Sequence, residues 1–521
     1  MLTRTEPTLT LPAEGDTRPV AVVIGAGFGG LAAGMRLAAK GYRVEVLDRL
    51  GAPGGRGTAR WQDGYRFDLG PTIVTAPQVF RELWAAAGED FDRDVVLHAM
   101  DPFYQIRWQD GSTLTAHADP VKMREEVARL SPGDLPGYDW LLKAAERRYH
   151  FGFEDLGRRP MNRFWDLAKV LPTFAWYRAD RSIYAHVARK VRDPRLRMAL
   201  SFHPLFIGGS PFHVTSMYAL VSHLEATFGV HYAMGGTAKL AEAMADVIRR
   251  KGGRLTFGIE ADEIEVQRGR ARSVRTAGGQ RLEADVIVSN ADSGHTYQRL
   301  LRGHARQRWT DRRLDRTRWS MGLFVWYFGT RGTREMWRDV GHHTIVNGPR
   351  YRGLVEDIFV KGTLSDDMSL YVHRPTVTDP AAAPDGDDSW YALSPVPHLG
   401  FDNPVDWGVM AESYRQKVEA FLEQSLLPGL GSRIASSHVM SPPDFRDRYL
   451  SPLGCGFSIE PRILQSAWFR PHNVSEEVPG LYLVGAGTHP GAGLPGVVAS
   501  AEVLGKLVPN AETVPNAETV R

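Results

Sequence analysis

A glycine-rich turn near the start of the chain constrains the fold more than any other feature. The apolar residues 22–24 are followed by Gly25, Gly27 and Gly30 in the order GxGxxG, and then by apolar residues at helical spacing. In such a unit the first glycine permits a tight turn, the second lets the backbone approach a pyrophosphate, and the third allows close packing of helix on strand. The pattern predicts a strand, a phosphate-binding turn and a helix whose N-terminus faces the phosphates.

A second strand and an acid follow at the distance that a dinucleotide fold requires. Residues 43–47 are typical of a strand, and Asp48 lies 23 residues beyond Gly25. An acid in that position can accept a hydrogen bond from a ribose hydroxyl, and it favours an unphosphorylated ribose over NADP. A glycine-rich turn alone also occurs in ordinary strand-to-helix connections. The order of strand, helix, second strand and acid favours an adenosine dinucleotide.

The bulk composition limits the classes of function. The chain has 521 residues, more than one core usually serves, so two or more domains are expected. Its 63 basic and 60 acidic residues leave a net charge of +3, too small by itself to indicate nucleic-acid binding. Cys455 is the only cysteine, which excludes an intramolecular disulfide and a CxxC metal site. A reducing cytoplasm is therefore expected.

One segment is strongly basic and aromatic. Residues 147–197 contain 13 Lys or Arg against 5 Asp or Glu, and within them residues 161–177 are aromatic and apolar, edged by Arg158, Arg159 and Arg163. This composition suits a membrane interface, and it equally suits a solvated basic face over a packed aromatic helix. A nucleic-acid patch is a weaker third interpretation.

Two long runs carry no Asp, Glu, Lys or Arg. Residues 199–224 are long enough to span a bilayer, but Pro204, Pro211 and a glycine pair interrupt them, so we expect an interior segment or the wall of an apolar tunnel. Residues 319–329 are predicted to be a buried strand of a second sheet. The three histidines of the first run lie ten residues apart, which does not form a metal-binding pattern.

Further motifs carry a family resemblance. Residues 53–56 are Pro-Gly-Gly-Arg, whose glycines leave backbone N–H groups open to a phosphate and whose Arg56 adds a positive fork. Residues 480–500 combine an apolar strand, a glycine-rich turn and a helix start. With the runs at 64–72, 201–212, 289–301, 348–359 and 457–473, these motifs resemble the flavin amine oxidase superfamily, and more narrowly the bacterial and fungal phytoene desaturases.

The resemblance implies an α/β fold: a Rossmann-like FAD-binding domain with a doubly wound parallel sheet and an inserted α+β substrate domain. We predict a discontinuous FAD-binding domain made of residues 18–130, 231–300 and 471–508. The substrate and membrane-binding domain then takes residues 131–230 and 301–470. Residues 1–17 and 509–521 are predicted to be disordered, the latter because a repeated PNAETV has nothing to bury.

The resemblance also implies which residues hold the cofactor. FAD is expected to bind non-covalently, because no Cys or His stands in an obvious tethering motif. Asp166 matches an aspartate of the family and is the candidate catalytic acid or base, with an exposed helix residue as the alternative. No metal site is predicted. The predicted FAD-binding residues are Gly25, Ala26, Gly27, Gly29, Gly30, Asp48, Gly54, Gly55, Arg56, Gly70, Pro71, Thr72, Ala261, Asn290, Gly485, Ala486, Gly493, Pro495 and Val497.

The implied activity is stepwise FAD-dependent dehydrogenation of phytoene, through phytofluene and ζ-carotene, to neurosporene or lycopene. Removing hydrogen from an unactivated chain requires a hydride acceptor and a dry tunnel, which the cofactor and the uncharged runs would supply. The expected electron acceptor is oxygen or a quinone. The expected location is the cytoplasmic side of the inner membrane, bound peripherally to the lipid surface. The number of steps and the oligomeric state stay open.

Three other functions are compatible with the same motifs. They are another carotenoid-modifying flavoenzyme, such as a hydroxyneurosporene-type dehydrogenase or an isomerase, an amine oxidase, and a non-enzymatic isoprenoid escort. An escort has no need of flavin, so the complete glycine turn and the Gly-Gly-Arg motif count against it. Relatives with an acid after the glycine of the last strand have Ala486 at that position here, which makes the amine oxidase branch a poorer match.

Overall fold

The computed structural model describes residues 16–513 as an assembly of strands and helices around two large sheets. The strands are β1 (Val20–Ile24), β2 (Arg43–Asp48), β3 (Ala59–Gln62), β4 (Tyr65–Asp68), β5 (Leu97–Ala99), β6 (Tyr104–Arg107), β7 (Thr113–Ala116), β8 (His231–Ala233), β9 (Arg254–Phe257), β10 (Ala261–Gln267), β11 (Arg270–Thr276), β12 (Arg281–Glu283), β13 (Val286–Ser289), β14 (Gly322–Thr330), β15 (His343–Val346), β16 (Leu370–His373), β17 (Asp388–Val396), β18 (Ile434–Met440) and β19 (Leu481–Leu483).

The helices cover the sheets and form the lobe between them. They are α1 (Phe28–Ala39), α2 (Pro77–Ala86), α3 (Phe91–Asp94), α4 (Pro120–Leu130), α5 (Leu135–Tyr149), α6 (Phe164–Trp176), α7 (Ile183–Val187), α8 (Pro194–Ala199), α9 (Leu220–Phe228), α10 (Thr237–Arg250), α11 (Ser293–His295), α12 (Asp311–Asp315), α13 (Tyr351–Glu356), α14 (Trp407–Ser425), α15 (Pro442–Tyr449) and α16 (Leu494–Leu507).

The first sheet is parallel, with strand order β19-β13-β1-β2-β9. Side chains alternate between its two faces, since Val23 and Val46 pack with helices α1, α10 and α16, whereas Val22 and Leu47 pack against the antiparallel sheet β10-β11-β12. The predicted parallel sheet is confirmed. Its second face is covered by a small sheet where a doubly wound fold would place helices.

The second sheet has the order β18-β14-β17-β16-β15-β6-β7 and is antiparallel except between β15 and β6. Its long strand β14, between β18 and β17, is buried along its whole length, as predicted for this uncharged run. One face of β14, including Phe324 and Trp326, packs against α14, and the other, including Val325 and Tyr327, lines the interior cavity. Both faces are therefore apolar.

Two domain boundaries differ from the predicted ones. The hairpin β6-β7 lies within the predicted FAD-binding segment 18–130, yet it extends the second sheet through pairing with β15. Local sequence does not encode this partner, because β6 and β15 lie far apart in the chain. Residues 509–513 are ordered, since Ala511 is buried and donates its N–H to the Lys40 carbonyl at 3.0 Å. Asp16 is likewise bound, through Arg18. The remaining predicted disorder lies outside the described residues.

The uncharged run at 199–224 is interior, as predicted. It leaves α8 at its first residue, makes short 3-10 turns at His203–Ile207 and Ser216–Ala219, and enters α9. Its prolines and glycines break it into these pieces. Within residues 16–513 the helices are all too short or too polar to cross a bilayer.

Candidate active site

A cavity of about 690 Å³ reaches from the parallel sheet into the second sheet. Of the predicted FAD-binding residues, all but Ala26 and Gly30 line it. The same cavity continues between β14, β16, β17 and α9, where its walls are apolar and aromatic. A single cavity therefore connects the predicted nucleotide cradle to an apolar interior.

The glycine turn between β1 and α1 has no room for side chains. A Cβ on Gly30 would lie 2.0 Å from the Gly25 carbonyl oxygen, so this glycine is required for the helix to pack on the turn. A Cβ on Gly27 would lie 2.9 Å from Nδ2 of Asn290, at the N-cap of α1. The turn thus leaves bare backbone N–H groups at the N-terminus of α1, which is a site for an anionic phosphate.

Asp48 lies at the end of β2 beside this turn. Its Oδ2 accepts a hydrogen bond from the Ala26 N–H at 2.6 Å and its Oδ1 one from the Leu50 N–H at 2.7 Å. Burial raises the pKa of the Asp48 carboxyl above its ordinary value, while the two N–H donors oppose that rise. The carboxylate is therefore fixed at the cavity wall, where a ribose hydroxyl can donate to it.

The Gly-Gly-Arg motif folds back on the glycine turn. The Gly54 N–H donates to the Ala26 carbonyl at 2.8 Å, which holds the two glycine segments side by side. Arg56 donates from Nη2 to Ser451 Oγ at 2.5 Å. Its Nε is buried and has no hydrogen-bond partner among the described residues. A guanidinium with an open donor at the wall of the cradle is suited to a phosphate oxygen.

The C-terminal glycine loop closes the opposite side of the cradle. The Gly485 N–H donates to Ser500 Oγ at 2.9 Å, and the buried Arg470 donates to the Ala486 carbonyl at 2.8 Å. Asn473 donates to the His489 carbonyl at 2.9 Å. These buried polar side chains hold the loop without entering the cavity. They lie in the runs 457–473 and 480–500, but spacing alone does not show which of their polar side chains turn toward the loop.

The sequence also did not predict a carboxylate that lies at the apolar end of the cavity. Glu225 of α9 lines the cavity, and its Oε2 lies 3.1 Å from His203 Nε2 and accepts from the Tyr104 hydroxyl at 3.0 Å. His203 and Glu225 both lie next to or within the uncharged run, and their pairing depends on the turn that brings α9 back over the 3-10 segment. The ten-residue spacing of the histidines in this run gives no sign of the pairing.

Asp166 does not line the cavity. It sits at the third position of α6, and its Oδ2 accepts a hydrogen bond from the Arg163 N–H at 2.9 Å. This is the geometry of a helix N-terminal capping box, in which an acid satisfies an orphan backbone donor. The structure therefore gives Asp166 a helix-capping role and places Glu225, not Asp166, in the cavity wall.

A sequence profile of flavin containing amine oxidoreductases matches residues 28–502, most of the chain. The chain belongs to this family. Within it, the chain is 65% identical to a neurosporene-forming phytoene desaturase of Cereibacter sphaeroides, over 94% of this chain and 95% of that protein. It is 63% identical to a second neurosporene-forming enzyme, from Rhodobacter capsulatus, over 94% of each chain. A lycopene-forming phytoene desaturase of Paracoccus sp. is 40% identical, over 95% and 98% of the two chains.

Two solved structures share the fold. An oxidoreductase from Methanosarcina mazei superposes with a TM-score of 0.62 at 18% identity, covering 92% of this chain and 98% of that one. Putrescine oxidase bound to putrescine superposes with a TM-score of 0.61 at 16% identity, covering 94% and 97%. At these identities the likeness concerns the fold alone, and it confirms the predicted α/β fold class.

FAD is the cofactor of this family, and the cradle fits it. The fit rests on the bare turn at Gly27, the fixed Asp48 carboxylate and the open Arg56 Nε–H. A dinucleotide requires such contacts to its phosphates and its ribose. Gly25, Gly27 and Gly29 of the turn carry no side chains and line the cavity, so the backbone can approach the pyrophosphate closely.

Proposed function

We propose that this chain is an FAD-dependent phytoene desaturase that introduces conjugated double bonds into phytoene in successive steps. One observation carries the proposal: a single cavity joins the dinucleotide cradle to an apolar interior lined by Val325, Phe206 and Leu393. A long hydrocarbon needs such a lining because few polar groups can face it without cost. The similarity to characterised phytoene desaturases supports the same substrate.

We propose that the predicted cofactor residues at the cavity wall bind FAD and orient it toward the apolar end. When bound, FAD supplies the hydride acceptor that the dehydrogenation needs. Each double bond also releases a proton from the neighbouring carbon, and the paired side chains of Glu225 and His203 are positioned on the wall to receive it. The apolar walls exclude water and hold the chain extended past the reacting position.

We propose neurosporene as the main product. The two relatives of highest identity named above form neurosporene, whereas the lycopene-forming relative is considerably less similar. Formation of lycopene requires one further dehydrogenation at the same site. We expect the cavity walls to limit how far the elongating polyene can advance, so the last step would be slow.

We propose that the enzyme docks peripherally on the cytoplasmic side of the inner membrane through α6. The exposed side chains Trp165 and Trp176 of α6 are 71% and 82% accessible, and Leu464, shortly before the segment 467–469 that packs on α6, is 69% accessible. Leu171 of α6 and Leu464 also line the cavity, so its apolar end opens at this surface. A hydrocarbon dissolved in lipid could enter there without crossing water. Oxygen or a membrane quinone is the proposed electron acceptor.

Purified protein supplied with phytoene in liposomes tests the function. We expect flavin bleaching under anaerobic conditions and, with oxygen or a quinone present, accumulation of neurosporene measured by chromatography and visible absorption. If phytoene never bleaches the flavin while neurosporene or a hydroxylated carotenoid does, the chain is a later-step dehydrogenase. If an amine bleaches it and no carotenoid does, the desaturase proposal is wrong. The Gly27→Val variant serves as the cofactor-deficient control.

A further inference from the structure

Three histidines meet inside the second sheet, outside the cofactor cradle. His343 of β15 and His373 of β16 are paired across the two antiparallel strands, and His342 precedes β15 directly. All three side chains are buried. One ring nitrogen from each lies within 4.8 Å of the other two. The spacing of these histidines in the sequence does not predict the cluster, because only strand pairing brings His373 next to His342 and His343.

The nitrogens on the outer side of the cluster have partners. His342 Nδ1 lies 2.7 Å from Thr378 Oγ1, and His343 Nδ1 lies 2.7 Å from the Tyr371 hydroxyl. In each pair the ring N–H can donate outward, because the Tyr371 hydroxyl can itself donate to Thr72 and that of Thr378 to Met100. Such outer partners fix the tautomer and the ring orientation of metal-binding histidines.

The ring nitrogens that face the centre of the cluster lack hydrogen-bond partners among the described residues. His342 Nε2, His343 Nε2 and both nitrogens of His373 are buried without a hydrogen-bond partner in the described part of the chain. Leaving a buried polar atom without a hydrogen bond is destabilising, so four such nitrogens in one place need an explanation.

The surrounding charges favour a cation. His373 Nε2 lies 3.5 Å from Asp68 Oδ2. Arg66 faces both Asp68, at 3.8 Å, and Asp379, at 2.9 Å. One guanidinium thus meets two carboxylates beside three neutral rings. The resulting negative charge lies where a carboxylate commonly supports a zinc-binding histidine.

We propose that His342, His343 and His373 bind one Zn²⁺ ion through their inner nitrogens. Bonds of about 2.0–2.1 Å in a tetrahedral arrangement place the nitrogens roughly 3.4 Å apart, so the rings need to turn inward by about 1 Å each. Three imidazoles suit zinc and leave its fourth position for water. Through His343 and Tyr371, which lines the cavity, the site would fix the orientation of the substrate-facing wall.

Metal analysis of the FAD-loaded, tag-free full chain tests the proposal. Protein produced with added zinc and then desalted should contain about one zinc ion per chain, and zinc-edge absorption spectroscopy should show a shell of nitrogen ligands at about 2.0–2.1 Å. His373→Ala and His343→Ala should retain less than about a tenth of that zinc. His150→Ala is the matched control, since His150 is exposed on the surface, and it should keep the full content.

Flavin content shows whether each variant is folded. If a cluster variant loses its flavin, the parent protein alone decides the question: removal of zinc by a chelator should lower its melting temperature, and zinc should restore it. A parent with no bound metal, a zinc content unchanged in His373→Ala, or a first shell of sulfur ligands would overturn the proposal.

Discussion

At the scale of single residues, the cofactor cradle depends on the absence of side chains at a few places. Gly27 is the clearest example, because Asn290, which directly follows β13, fills the space that a Cβ would need. Asn290 also lies against Gly29 and Gly485, so the two glycine loops and β13 meet around one amide side chain. A larger residue at Gly27 would displace this contact and block the approach of a pyrophosphate.

Gly27→Val should therefore abolish FAD retention. We expect the ratio of flavin to protein absorbance to fall at least about tenfold, since a loss of only about 1.4 kcal/mol in binding lowers affinity tenfold. Gly133→Val is the control, because a Cβ at Gly133 meets nothing within 4 Å. An unchanged flavin spectrum in purified, folded Gly27→Val would show that this turn does not bind the cofactor.

We expect opposite effects on activity when Asp166 and Glu225 are each replaced by the corresponding amide. Asp166→Asn keeps an oxygen that can accept from the Arg163 N–H, so activity should stay within about twofold. Glu225→Gln removes the ionisable group beside His203, so turnover should fall by about 100-fold or more while flavin content is retained. Stopped-flow measurement of flavin bleaching by phytoene separates the two. The reverse pattern would restore the catalytic role to Asp166.

At the scale of elements, α6 is unusual because its solvent-exposed face is also apolar. Leu167 and Val170 pack into a small core, while the opposite face exposes Phe164, Trp165 and Trp176 to solvent. Exposed aromatic residues next to an apolar opening are typical of a membrane interface. Arg158, predicted to be part of the basic patch, is instead held between Glu82 and Glu502. The aromatic residues thus carry more of the proposed docking than the charges do.

Replacing both Trp165 and Trp176 by Ala should weaken membrane binding. In flotation with liposomes containing anionic lipid, we expect the bound fraction to fall strongly, and high salt to reduce parent binding only in part, because screening acts on charges and not on apolar contacts. Trp61→Ala is the matched control, since Trp61 is 61% exposed on β3, outside this surface. Equal flotation of parent and double variant would exclude α6 as the docking element.

At the scale of the whole molecule, buried neutral histidines tie stability to pH. Burial, with Arg148 nearby, lowers the pKa of His186 to about 3, whereas the unfolded chain titrates near 6.5. As the pH falls below 6.5 the unfolded chain gains a proton that the folded chain does not, so stability decreases toward acid pH. The slope is at most about 1.4 kcal/mol per pH unit for each such group.

His186→Phe should reduce this acid sensitivity. Both ring nitrogens of His186 lack hydrogen-bond partners in residues 16–513. The ring packs against Trp140 with centroids 4.8 Å apart and a tilt of 35°, so a phenyl ring fits with little loss. With saturating FAD, the melting temperature of the variant should fall less than that of the parent between about pH 6.5 and 4.5. His150→Phe, on the surface, should follow the parent. Identical pH profiles for His186→Phe and parent would refute the assignment.

The local sequence pattern was sufficient to predict those features whose residues all lie within one short stretch of the chain. The glycine turn, Asp48 and the helix after it follow from spacing, because each contact is made between near neighbours in the chain. The C-terminal glycine loop was identified in the same way. The hairpin β6-β7 and the ordered residues 509–513 were assigned wrongly, because their partners β15 and Lys40 are distant in sequence and leave no local mark.

The sequence by itself determined the parallel sheet, the glycine turn at its edge and the apolar character of the interior, since these depend on periodicity and on glycine at fixed positions. Only the tertiary structure decided which side chains share a space. It placed Asp166 at a helix cap and Glu225 beside His203 on the cavity wall, and it brought His342, His343 and His373 together. The physical reason is that strand pairing and helix packing set distances between residues remote in the chain, and those distances decide which groups can act together.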